Sequence, residues 1–151
     1  MTISCYQLEP FRHIGPLAFG MTIQQVGAVL GTPARRRERP DFVRVSWAEP
    51  WIACRISQAV GLEEVEFAPG GHVLVVDGVQ VLEDPDALQR LCFADPTVRR
   101  TADGLLLFPR YGLALSGIFP RDPDQMAASV SSLQAWERRA RFPSKPFIVS
   151  D

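Results

Sequence analysis

Lysine is nearly missing from this chain: Lys145 stands alone among 151 residues. A Walker-type phosphate loop needs a lysine beside its glycines, and Gly15, Gly20, Gly27 and Gly31 are too irregular for a GxGxxG turn, so both nucleotide motifs are excluded. Histidine is almost as scarce. His13 and His72 lie far apart with no HxH or HExxH frame, so no metal and no cofactor is expected. Cys5, Cys54 and Cys92 are odd in number and outside any CxxC pair, which argues against a disulfide framework and a zinc site and leaves reduced, partly buried thiols. Long apolar runs are lacking too. Even Val73 to Leu82 is interrupted by Asp77 and Gln80, so no membrane span is expected. Met1 to Pro16 carries Glu9, Pro10, Arg12 and His13 in place of the order of a signal peptide, which points to the cytoplasm. Finally, 16 basic and 17 acidic residues give a net charge of −1, so the surplus of positive charge that draws a protein to nucleic acid or anionic membrane is absent.

What is present suits one globular domain over residues 1–151, with 46% hydrophobic and 22% charged residues. Thr22 and Gln25 form a capping-box pair ahead of Ile23, Val26, Val29 and Leu30, and Gly31 and Pro33 stop the helix. Arg35 to Arg39 reads as a solvated connecting loop. Val43, Val45 and Trp47 then alternate with Arg44 and Ser46, Trp51 to Ser57 alternates likewise, and Glu64 to Ala68 places Val65 and Phe67 inward. With the apolar run from His72 to Val76, these predict a four-stranded antiparallel meander. Asp84-Pro85-Asp86 and Asp122-Pro123-Asp124 both read as helix starts. Leu105–Phe108 and Leu113–Phe119 predict a second hairpin. The expected fold is therefore α+β: an antiparallel sheet of about six strands, with two short helices (22–30, 85–94) and a longer C-terminal one (124–141) packed on one face. Residues 143–151 are expected as a tail.

No nucleophile sits in a recognisable catalytic frame, so no enzyme is expected. His72, at a hairpin tip, reads as a solvated turn residue, and His13 as a hydrogen-bonding loop residue. Glu63, Glu64 and Glu66 read as outward, solvated carboxylates. One asymmetry stands out. From Leu62 to Asp86 there are seven acidic residues and no lysine or arginine, whereas the flanking segments each sum to +3. Such an acidic island suits a basic protein partner, with Glu64, Glu66, Asp77 and Glu83 steering the encounter and Trp51 as an aromatic anchor. Two alternatives compete: a small-ligand module built from Trp47, Trp51 and Arg44, and a hydrolase using His72 with nearby carboxylates.

Ile14-Gly15-Pro16-Leu17, Gly20-Met21-Thr22, Val26, Leu30-Gly31 and Pro33 together resemble the helix of SmpA/OmlA-like and β-lactamase-inhibitor-like domains. The continuation, through Ala102-Asp103-Gly104-Leu105 and Tyr111-Gly112-Leu113-Ala114-Leu115, is similar to small bacterial immunity proteins encoded beside polymorphic toxins. The resemblance covers residues 8–119 and implies a non-enzymatic protein that binds and occludes a cognate bacterial toxin. SmpA/OmlA-type lipoproteins carry a signal peptide and a lipidated cysteine, features not expected here, so their outer-membrane assembly role is not carried over. The C-terminal helix lies beyond the resembling region and could pack on the sheet or make a homodimer.

Overall fold

The computed structural model describes residues 2–148. Among them, fourteen strands form two sheets, of five and nine strands, and each of the three helices has eight residues. The fold is thus mostly β, which corrects the expected six-stranded sheet with a long C-terminal helix.

The chain opens with β1 (Cys5–Glu9), β2 (His13–Ile14) and β3 (Leu17–Ala18), an antiparallel ribbon. Helix α1 (Ile23–Leu30) starts where its capping box puts it: the Gln25 amide donates to Thr22 Oγ1 at 3.2 Å and the Thr22 amide to Gln25 Oε1 at 2.9 Å. It ends at Gly31, whose N–H bonds Gly27 O. The expected basic loop is instead a strand, β4 (Arg35–Glu38), at the sheet edge. All four of its side chains are exposed, so no apolar alternation announced it. β5 (Phe42–Ala48), β6 (Trp51–Ser57) and β7 (Gly61–Phe67) form the antiparallel meander that their alternation predicts.

The fourth strand breaks the pattern. β8 (Val73–Val76) pairs in parallel with β1, and with β9 (Val79–Gln80) it completes the smaller sheet. The chain leaves the meander at Gly71, where a Cβ atom would lie 2.4 Å from the Trp51 carbonyl oxygen, so only glycine fits. α2 (Ala87–Ala94) begins later than Asp84-Pro85 suggests, because Asp84 Oδ1 accepts the Asp86 amide at 2.8 Å in a turn of its own. β10 (Arg99–Thr101), β11 (Leu106–Phe108) and β12 (Leu113–Ser116) follow, the last two as the expected second hairpin.

The predicted helix 124–141 divides in two. Asp122 Oδ1 accepts the Asp124 amide in a turn, then comes β13 (Ala127–Ser131), and only Ser132 caps a helix, α3 (Leu133–Ala140), through a 3.2 Å bond from the Ala135 amide. Met126, Val130, Leu133 and Trp136 are helically spaced, but Ala128 and Val130 also alternate with Ser129 and Ser131. The period of two prevails because β13 fills the gap between β7 and β12, opposing Ala128 to Phe67 and Val130 to Val65. β14 (Ser144–Pro146) closes the far edge on β10. Of the expected tail, Phe147 is buried and packs edge-on to Phe119 at 5.3 Å, while 149–151 lie outside the described residues.

The core lies between one face of the large sheet (Val65, Phe67, Phe108, Leu113), the small sheet (Tyr6, Ile14, Leu74) and α1 and α2 (Val26, Leu91). α3 does not share that side. Leu107 and Ala114 point away from the core by alternation and make a second apolar patch, which Trp136 of α3 covers. The helices therefore lie on both faces of the large sheet, which corrects the one-sided arrangement.

Candidate functional site

Outside the short span of α3, the outer face of β4–β7 carries no helix and is built from charge. Strand pairing sets Arg37, Arg44, Arg55 and Glu64 in one cross-strand row, and Arg35, Ser46, Ala53, Glu66 and Ser129 in the next. Arg44 Nη2 donates to Glu66 Oε2 at 2.8 Å. The β6–β7 register shifts between Arg55 and Ile56, which leaves Glu63 unopposed in a bulge. This bulge turns Glu63 and Glu64 together toward the end of α3. Glu63, with a side chain only 3% exposed, accepts Arg55 Nε at 2.6 Å and Arg138 Nη2 at 2.8 Å. Arg139 reaches Glu64 at 3.5 Å. The expectation of three solvated carboxylates fails at Glu63, because a bulge is invisible in a linear pattern. Arg55 in turn stacks over the Phe42 ring, 3.8 Å from its centroid.

The acidic island is divided in space between the two sheets. Glu64 and Glu66 are partnered by arginine, and Trp51, half-buried, shares their face. Asp77 belongs to the β8–β9 turn of the other sheet and accepts a hydrogen bond from the Tyr111 hydroxyl. This bond and burial push the Tyr111 phenol up to about 12, burial being the larger cause. Glu83 sits between β9 and α2 with Oε1 buried and, among the described residues, without a hydrogen-bond partner, and burial raises its carboxyl above the usual range. The outer face instead holds six guanidiniums (Arg35, Arg37, Arg44, Arg55, Arg138, Arg139) against three carboxylates (Glu63, Glu64, Glu66), so its sign is positive. Arg44 and Arg55 were legible as outward positions of their strands. Arg138 and Arg139 read only as charges complementing a helix end.

The competing constellations fare differently. Trp47 is buried on the inner side, its indole N–H bonded to Gly31 O at 3.2 Å, so it does not join Trp51 and Arg44. His72 is buried, not solvated: its Nδ1 accepts the Ser4 amide at 3.1 Å and its ring centroid lies 4.9 Å from that of Tyr6. Desolvation lowers its pKa below the ordinary histidine value. His13, on β2, reaches Glu9 at 2.7 Å. Burial drives the Cys54 thiol up to about 12, which makes it a poor nucleophile. Among the described residues, no group of three or more His, Cys, Asp or Glu is placed to hold a metal ion, and no helix is long and apolar enough to cross a membrane.

Comparison with known proteins finds no matching family, no matching curated protein and no matching solved structure.

Proposed function

We propose that this chain is a cytoplasmic, non-enzymatic binding protein of the immunity type, which occludes a cognate bacterial toxin by docking the outer face of β4–β7 onto it. The observation that carries this proposal is the charged lattice itself: Arg44 and Arg55 are already locked by Glu66 and Glu63, so a partner meets side chains whose ordering costs little on binding. Trp51 on the same face supplies the aromatic anchor such interfaces favour. The sign of the face changes the partner's chemistry. An acidic face would seek a basic cleft, whereas a face dominated by arginine complements carboxylates around the toxin's active site.

The test is growth protection and binding with the product of the neighbouring reading frame. Wild-type protein should rescue cells expressing that product and bind it with one-to-one stoichiometry. Reversal of the exposed edge pair, Arg35→Glu with Arg37→Glu, should slow association about tenfold at low salt and flatten its salt dependence. Unchanged association would remove this face from the interface, and failure of the wild type to protect would end the immunity proposal.

A further inference from the structure

The geometry points to a second, smaller site: we propose that the cleft between α3 and the β10–β11 connection binds a small organic monoanion with an apolar body, a carboxylate carried on an aromatic or branched aliphatic frame. The cleft has a volume of about 580 Å³. That lies within the range of small-molecule sites, which are mostly apolar with a few convergent polar groups. One wall is Thr101, Ala102, Asp103 and Leu105, and across from it stand Ala135, Arg138 and Arg139 of α3 and Phe142. Arg55 reaches in from β6 and Glu64 from β7, so three guanidiniums and the carboxylates of Glu64 and Asp103 share the lining.

Its chemistry follows from a donor surplus. A guanidinium carries five N–H donors. Arg55, Arg138 and Arg139 each spend one on a carboxylate, through Arg55 Nε and Arg138 Nη2 to Glu63 and Arg139 Nη2 to Glu64. Among the described residues most of their donors have no protein acceptor, and a carboxylate is the planar group that two guanidinium donors match best. Asp103 also lines the cleft and keeps its charge; it takes the Thr101 hydroxyl, and among the described residues none of the three arginines hydrogen-bonds it. Glu63 behind the arginines, with Glu64 and Asp103 on the lining, offsets their formal charge, which disfavours a phosphate dianion and leaves the match of guanidinium donors to a carboxylate as what favours a monoanion. The apolar requirement comes from Leu105 and from Phe142, a residue 68% exposed beside the cleft that gains cover only from an apolar body. The inference holds whether or not a protein docks on β4–β6.

The probe is 3-phenylpropionate, titrated into the full chain and followed by amide chemical shifts, with 3-phenylpropanol (same body, no charge) and inorganic phosphate (charge, no body) as controls. Saturable shifts are expected in residues 101–105 and 133–142, with the acid binding at least about tenfold tighter than the alcohol, the factor expected for losing a charged hydrogen bond. Phosphate should leave these shifts unchanged. Arg139→Gln should weaken the acid by about tenfold and Phe142→Ala by several-fold. Both side chains are dispensable for the fold, Arg139 through its long contact and Phe142 through its exposure, and unchanged melting temperatures confirm that. Equal affinity for acid and alcohol, competition by phosphate, shifts outside the cleft, or full affinity in Arg139→Gln would each overturn the proposal.

Discussion

Glu63 is the joint between the large sheet and α3, and its removal has a calculable cost. Its two oxygens hold Arg55 at 2.6 Å and Arg138 at 2.8 Å, and the carboxylate itself is almost fully enclosed. A hydrogen bond to a charged group contributes about 1.5–3 kcal/mol. The guanidiniums, however, are 40% and 50% exposed, so water and salt recover part of what each loses. Halving the sum on that account, Glu63→Ala should cost about 1.5–3 kcal/mol. In a domain of this size that lowers the melting temperature by roughly 3–12 °C. Arg138→Ala leaves Glu63 its shorter partner, and should cost about 1 kcal/mol. The double variant should cost little more than Glu63→Ala alone, because Arg138 has nothing left to bond, giving a coupling energy near 1 kcal/mol. Urea unfolding followed by tryptophan fluorescence measures all three, since Trp136 of α3 packs on Leu107 and Ala114 and reports the helix directly. Strict additivity of the single variants, or a Glu63→Ala protein as stable as the parent, would refute the claim that this buried carboxylate ties α3 to the sheet.

Three further outcomes follow from the packing. Gly112 has φ near +63°, and a Cβ there would lie 2.6 Å from Phe11 Cε1, so Gly112→Ala combines backbone strain with a clash and should cost at least about 2 kcal/mol in urea unfolding. Tyr111→Phe deletes the hydroxyl that bonds Asp77 across the two sheets and should cost about 1–3 kcal/mol by the same measurement. The wild-type phenol, pushed up to about 12 from an ordinary 10.0, holds its proton longer when folded than when unfolded. Its contribution is therefore complete below pH 10.0 and is lost as pH rises toward about 12, a fall that Tyr111→Phe should flatten in alkaline unfolding curves. His72 has the opposite sense. Burial lowers its pKa in the folded state from 6.5, so acidification charges the unfolded chain first, and stability should fall as pH drops below 6.5, less steeply in His72→Gln.

Local signals were legible where the physics is local. The Thr22/Gln25 box begins α1 because both hydrogen bonds close within one turn, and the alternation of β5, β6 and β7 records a sheet with one face in the core. The very short strands carry no such record: β2, β3 and β9 have two residues each, too few to show a period. β4 hides for another reason, since an edge strand with every side chain in solvent has no inner face to mark. β8 reads as a strand, but its partner β1 lies across the whole meander, and nothing in Val73–Val76 says which edge it will join.

Charge was least legible, for a reason that bears on function. A stretch of acidic residues in the linear chain becomes an acidic surface only if its neighbours in space are also acidic or neutral. Glu66 meets Arg44 from 22 residues away, and Glu63 and Glu64 meet Arg138 and Arg139 from 75 residues away. Each pairing depends on strand register, and the last two depend on a bulge that no residue pattern announces. The flanking segments that read as merely balancing the island supply the guanidiniums that pair with four of its seven carboxylates, Glu63, Glu64, Glu66 and Asp84. On the outer face the guanidiniums without a carboxylate partner among the described residues are then Arg35 and Arg37 of β4, together with the unspent donors at the end of α3. Under the proposed function, a partner that docks on the outer face brings the carboxylates.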